Sequence, residues 1–375
     1  MKKIFISSII LATFFGITSC AFGWDLLKKS ETKPYKNEDN IIHIFDKKPQ
    51  EHTIELLPTM NSDSKADNRI WVGTFQIVWN EVIDNLIKSP IEFVDEENKT
   101  ASDLNKKEFT KNDISEDSYY TKWGIIKPDL KNEIEKGIKE KFNETSDILD
   151  SLDFTYNPEK YLFYAMLKKD FKFLTPFDKL DEEKFGTNEN KVKYFGIDVN
   201  SSWNLYKNVS VLFYNSHEDF AVSIHTKGND EVLLYRTSDD KKFNEYYADI
   251  KEKTQDFDGS QFFGDYDRLK VPEINLYQIT NFPEVEGKLI KGTDFVIDKT
   301  LETVDFKMNN EGVKLKSEAI IMMTQTAMPG PPPKIRKFYF NDTFVLFLIE
   351  KGKTTPYFAL RVNDVETLNN TGKSD

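Results

Sequence analysis

Apolar residues recur along this chain with two different periods. Between Arg69 and Lys88, Ile77, Val78, Val82, Ile83, Leu86 and Ile87 fall at helical spacing. That spacing predicts a strand near Ile70–Val72 running into a buried helix that stops near Ser89-Pro90. Trp71 and Trp79 within it read as core residues rather than a ligand platform. Glu92 to Asp117 is charged and reads as a surface connection with short helical pieces. Lys127 to Asn143 is an amphipathic helix, with Pro128 in its first turn and Leu130, Ile134, Ile138 and Phe142 along one face. Tyr161 to Phe171 is apolar almost throughout until Lys168, the pattern of a strand buried on both faces, closed by a turn at Thr175-Pro176-Phe177-Asp178.

Beyond that turn the period is two. The runs VKYFGI, VSVLFYN, FAVSIHT and VLLYR between Lys191 and Arg236 predict antiparallel strands joined by hairpins. A short helix is expected within Thr237–Thr254, and strands at Leu269–Leu276 and Thr303–Met308. Asn309 to Asp364 then divides into three parts. Asn309–Met323 is strand-like after a Gly-containing start, Thr324–Lys334 is a polar and Pro-rich loop, and Phe338–Val362 is an apolar hairpin.

Composition narrows the function classes. The chain has 375 residues, enough for a substantial core, and its 39% hydrophobic content excludes disorder over most of it. A net charge of −12 argues against nucleic acid and against electrostatic adhesion to anionic lipid. The amino terminus has the build of an export signal: Lys2 and Lys3, an apolar run from Ile4 to Ile17, then small residues. Ile17-Thr18-Ser19-Cys20 looks like a relaxed bacterial lipobox, which implies cleavage before Cys20 and acylation of that cysteine, palmitate included. Cys20 is the only cysteine, so no disulfide, catalytic thiol or cysteine-bound zinc is available. The expected organisation is a signal peptide over 1–19, a lipidated polar tether over 20–66, a folded domain over 67–366 and a disordered tail over 367–375.

Catalytic signatures do not emerge. There is no phosphate-binding Gly loop and no His-Glu-x-x-His, and none of His43, His52, His217 and His225 stands at ligand spacing from a carboxylate. Asp256-Phe257-Asp258-Gly259 is similar to a fragment of a calcium loop but lacks the later ligands. The expectation is therefore a protein that is not an enzyme and needs neither metal nor cofactor.

Several segments nevertheless resemble one family. Asn309-Asn310-Glu311-Gly312 is similar to the serpin hinge Asn-Glu-Glu-Gly, and Phe340–Phe347 to the serpin tail signature, with Thr343 where that signature has Pro. Pro356–Val362 resembles the terminal strand, with Leu360 in place of Gly. Tyr164–Lys169 with Thr175–Asp178 resembles a main-sheet strand and its turn, and Val271-Pro272-Glu273-Ile274 a further strand. The resemblance covers about Lys131 to Asp364 in order. It implies an α+β fold with a large mixed or antiparallel main sheet, smaller sheets, helices and an exposed reactive loop near the carboxy terminus. Tyr164 and Glu302 depart from the Asn and His that form a hydrogen-bonded latch on sheet opening in the family.

The resemblance also implies a mechanism. A protease attacks the loop, and the freed strand inserts into the sheet and distorts the protease. The loop hinge would be Glu311, Gly312, Val313, Leu315, Ser317 and Ala319, and family spacing puts the scissile bond at Thr326-Ala327. From Gly312 one alternating set is Val313, Leu315, Ser317, Ala319, Ile321 and Met323, apolar or small, while Lys314, Lys316 and Glu318 form the other. Bulky Leu315 slows such an insertion. No Lys or Arg lies between Lys316 and Lys334, which disfavours a trypsin-like attacker and favours an elastase-like or subtilisin-like one. The expected partners are that serine-type protease and, through the lipid, the outside of a bacterial cell membrane; the protein is expected to be a monomer that binds no nucleic acid. The alternatives are a non-inhibitory protein of serpin fold and an unrelated surface lipoprotein acting as a binding module, and for Thr324–Lys334 taken alone a mobile Pro-rich loop.

Overall fold

A computed structural model describes residues 54–94, 96–313 and 335–372. The chain runs through β1 (Ile54–Leu56), β2 (Asn68–Val72), α1 (Thr74–Val82) with a π turn over Ile83–Ile87, α2 (Lys99–Leu104), β3 (Tyr119–Ile126), α3 (Pro128–Phe142) and β4 (Asn157–Leu167). Next come β5 (Phe171–Lys172), β6 (Asp178–Lys184), β7 (Lys191–Ile197), β8 (Val209–Tyr214), β9 (Phe220–His225), β10 (Asp230–Arg236) and α4 (Phe243–Asp256). Then follow β11 (Arg268–Pro272), β12 (Ile274–Thr280), β13 (Glu302–Asn309), β14 (Gly312–Val313), β15 (Lys337–Tyr339), β16 (Phe344–Glu350), β17 (Phe358–Val362) and α5 (Val365–Asn369).

The fold is α+β, with a large mixed sheet and smaller ones. The large sheet has seven strands in the order β1-β2-β17-β16-β10-β9-β8, antiparallel except at β1–β2. Every residue of β16 is buried, because α4 covers one face and the strands β12 and β13 lie toward the other. The rings of Phe243 and Tyr247 on α4 stand 6.1 and 5.4 Å from Phe347. Phe306 of β13 stacks on Phe358 of β17 at 4.8 Å. A four-stranded sheet, β15-β11-β7-β6, is joined to the β8–β9 edge of the large one by Phe338. Its ring lies 5.0 Å from Tyr214 and 5.3 Å from both Phe220 and Phe263. A third sheet runs β12-β13-β14-β5, and β3 pairs with β4 alone. On that pair α3 builds a separate core from Leu130, Ile134 and Ile138 with Leu149, Phe154 and Tyr164.

Several expectations need correction. The folded part begins before residue 67: β1 pairs with β2, and Leu57 and Met60 are in the core. It also extends past 366, since α5 runs to Asn369 with Leu368 fully buried. Tyr161–Phe171 is not a strand buried on both faces; within β4 only Tyr164 is buried, because α3 covers one face and the other stays half-exposed. Leu269–Leu276 divides at Glu273, whose N–H is given to Lys193 O, so β11 and β12 belong to different sheets. The run at Lys191–Ile197 likewise leaves its neighbours for the four-stranded sheet. In Phe338–Val362 the hairpin is β16–β17, and Phe338 itself sits on a strand of another sheet. Glu92–Asp117 does hold short helices, but it also buries Phe93, Leu104, Phe109 and Ile114.

Replacing Phe338 with Ala removes the ring that three partners enclose at the junction of two sheets. The expected cost is about 3–5 kcal/mol of unfolding free energy in urea denaturation, with little change in far-ultraviolet circular dichroism below the transition.

Candidate functional site

Of the expected hinge, Glu311, Gly312 and Val313 are among the described residues. Asn309 Oδ1 accepts from the Glu311 N–H at 2.9 Å and turns the chain at the end of β13. Asn310 then clamps the 174–177 turn: its carbonyl accepts from Phe177 N–H at 2.8 Å, and its Nδ2 donates to Phe177 O at 3.1 Å. The Glu311 carbonyl accepts from Phe173 N–H at 3.0 Å. Gly312 and Val313 are thereby held as a short strand between β13 and β5, with Val313 opposite Met308 on one side and Phe171 on the other. Gly312 is required here. Its φ is +145°, and a Cβ would stand 2.4 Å from Phe171 O and 2.7 Å from Lys172 Cα.

Below this point the described pairing stops. On the β14 side, the described ladder of β13 covers only Met308 and Asn309. Among the described residues β4 pairs with β3 and with no second strand. β13 and β4 thus each keep an edge that no other described strand pairs. The remaining expected site residues, Leu315, Ser317, Ala319, Thr326 and Ala327, and Cys20 at the other end of the chain, lie outside the described residues.

Glu302 stands at the far end of β13 and is fully buried. α1 has Gly73 as its N-cap residue and no side-chain cap; Gly73 is small because a Cβ there would stand 2.2 Å from the Phe109 ring. Glu302 Oε1 fills the vacancy by accepting from Phe75 N–H at 3.0 Å. Its other carboxyl oxygen is buried with no partner among the described groups. Burial pushes the carboxyl up to about 8, against the smaller opposing effect of the Phe75 N–H. Tyr164, the other departure from the latch, is in the separate core under α3, so the two side chains do not meet. Burial pushes its phenol up to about 12. Sequence contained a signal for Glu302: Glu302, Val304, Phe306 and Met308 alternate onto the buried face of β13.

Beyond β4 a charged group ties its end to the large sheet. Lys169 Nζ sits 2.9 Å from Asp230 Oδ1 and also binds Glu350, whose side chain is 1% exposed. Ser115 gives its backbone N–H to both Glu350 oxygens, at 2.9 and 3.0 Å, and its hydroxyl to Oε1 at 2.7 Å. Burial alone would raise the Glu350 carboxyl, but the Lys169 and Ser115 hydrogen bonds outweigh it and hold the group below its ordinary value.

The fold also pairs a histidine with a carboxylate, which linear spacing did not reveal. His225 and Glu231 are opposite each other on β9 and β10, with Nδ1 3.7 Å from Oε1, and Ser210 Oγ lies 2.8 Å from Nε2. The order Ser–His–Glu is that of a nucleophile and its base, but Ser210 sits in the β8–β9 ladder and the next N–H, that of Val211, is given to Gln261 O at 2.9 Å. No pair of N–H groups is aimed at an oxyanion there, so the row reads as a polar strand surface.

No protein-family model matches the sequence, and no curated protein sequence matches it. Solved structures do. Serpin48 of the insect Tenebrio molitor aligns with 79% of this chain and 74% of its own length, at 16% identity and a TM-score of 0.40. Maspin aligns with 65% of this chain and 76% of its own, at 10% identity and 0.42. Thyroxine-binding globulin in complex with thyroxine aligns with 63% of this chain at 12% identity and 0.39; this chain spans 65% of that protein, a little under two thirds.

Two outcomes follow from the buried charges. A carboxyl raised in the folded state binds its proton when folded and releases it when unfolded. Glu302 therefore favours the folded state most below the ordinary value of 4.5, and that contribution is lost as pH rises to about 8. The variant Glu302→Gln should flatten this loss, which reaches up to about 1.4 kcal/mol per pH unit, when urea midpoints are compared from pH 5 to 8. Lys169→Ala strands Glu350 without its cation and should cost about 3–5 kcal/mol at neutral pH, read by the same denaturation.

Proposed function

We propose that this chain is a serpin-like protein held on the outside of a bacterial cell membrane by a lipid on Cys20, and that it inhibits serine-type endopeptidases by loop cleavage and strand insertion. One observation carries the reading. Gly312 and Val313 are already seated between β13 and β5 at the head of a seam whose two lower edges, on β13 and β4, have no described strand between them. The residues that follow Val313 alternate apolar or small with charged, the pattern of a strand that buries one face. Chain continuity directs such a strand along the seam, antiparallel to β13, and release of the far end by proteolysis is what permits it to enter. The bond offered is Thr326-Ala327, and the attacker is elastase-like or subtilisin-like. The reading also draws on the serpin-like motifs, two of which fall on the strands named here, Tyr164 on β4 and Asn309 at the end of β13, while Phe344–Phe347 lies on β16 of the large sheet. A second reading, a non-inhibitory protein of the same design, is favoured by Leu315, whose bulk slows entry between two strands.

Incubation with elastase, subtilisin and trypsin tests the proposal. Elastase or subtilisin should give a complex that survives SDS, and the cleaved protein should unfold at a higher temperature than the intact one. Clean cutting near Thr326 with neither complex nor gain in thermal stability would move the assignment to the non-inhibitory reading. Metabolic labelling with palmitate should mark the full chain and be abolished by Cys20→Ser; labelling that persists in that variant would remove the anchor from the proposal.

A further inference from the structure

An aromatic surface lies where the chain returns from the loop. Trp203, Phe262, Tyr266 and Ile335 are 48%, 72%, 47% and 55% exposed. They stand on three segments that are firmly joined. The Arg336 guanidinium donates to Ser260 O and Phe262 O, each at 2.7 Å, and binds the Asp267 carboxylate at 3.0 and 2.7 Å. The Tyr206 hydroxyl donates to Asp265 O at 3.3 Å, and its ring is 5.9 Å from buried Phe263. Lys207 Nζ lies 4.5 Å from the Trp203 ring. The side chains are thus exposed while the backbone beneath them is fixed. Aromatic groups presented on a rigid base lose little entropy when a partner covers them, and Trp, Tyr and Arg dominate the energetic centres of interfaces.

Position identifies the occupant. The described chain stops at Val313 and resumes at Ile335, inside this surface. The proposed bond at Thr326-Ala327 is eight residues from Ile335, so even a fully extended connection spans at most roughly 30 Å. A protease domain of some 220 residues has a radius of gyration of about 17 Å. Its body, centred on that bond, comes against the face from which the loop departs. We propose that Trp203, Phe262, Tyr266 and Ile335 form a secondary docking surface for the endopeptidase that attacks the loop, taking an apolar rim beside the enzyme's cleft. This rests on the inhibitory or substrate-like reading of the loop given above. The surface adds contacts that a free peptide of the same loop sequence lacks, and so it raises the rate of attack on the whole protein over that on the peptide.

The experiment compares rates of attack by elastase and by subtilisin on three substrates: the full protein, the variant Trp203→Ser/Phe262→Ser/Tyr266→Ser, and a synthetic peptide of residues 320–333. The protein should be attacked at least ten-fold faster than the triple variant, and the variant at a rate near that of the peptide. Phe262→Ala alone, at the most exposed of these positions, should give an intermediate rate and Phe262→Leu should recover most of it; unchanged thermal unfolding of both single variants shows that folding is not the cause. Equal rates for the protein and its variants overturn the docking surface and leave the proposed function standing. Absence of any cutting or complex at the loop, in protein and variants alike, overturns both.

Discussion

The contact between Gly312 and the backbone of β5 is the constraint around which this end of the molecule is arranged. Two main chains approach so closely there that no side chain fits between them, which is why a residue without Cβ stands at the position. That approach seats a two-residue strand between β13 and β5 and joins those two strands into one sheet. The hydrogen bonds of Asn310 to Phe177 serve the same end, because they lock the turn that brings β5 alongside. A larger residue at 312 would separate the strands at the one place where both edges are held.

Two buried carboxyl groups on different sheets are satisfied in different ways. Glu350 is surrounded by donors, a lysine and the hydroxyl and amide of Ser115, and stays ionised despite its burial. Glu302 has one amide donor and no cation, so burial prevails and the carboxyl holds its proton. The first group joins elements into a rigid unit. The second caps a helix while one of its oxygens has no partner among the described groups, and it makes the stability of the β13 end depend on pH.

Much of this architecture could be read from residue order because its signals were local. α3 is amphipathic by spacing alone, and its apolar face has a dedicated core to fill. β16 is apolar from Phe344 to Ile349 because it is central and covered on both faces. The misreadings came where a local pattern had two physical causes. The apolar run of β4 owes its length to α3 on one face and to a half-exposed surface on the other, which resembles burial on both. The division at Glu273 has no sequence marker, since it reflects which neighbours receive each half of the run. The His225–Glu231 pair was invisible for a related reason: its members are brought together by register across a hairpin, not by spacing. At the candidate site the close backbone approach at 312 was legible through its Gly, and the carboxylate at 302 through alternation along β13. The edges of β4 and β13 that no described strand pairs belong to strands far apart in sequence and leave no trace in either.

The position of β2 between β1 and β17 bears on how the protein is made. Its Asn68 side chain holds the backbone of Asp364, 296 residues away, and Ile70 and Trp71 pair with Leu360 and Ala359. These partners emerge from the ribosome last. At roughly 5–20 residues per second, Ile70, Trp71 and Val72 wait some 15–60 seconds before their place in the sheet exists. The large sheet is therefore completed late, by β17 arriving beside β2. A chain with this order of assembly holds its amino-terminal β2 strand unpaired with β17 through most of elongation.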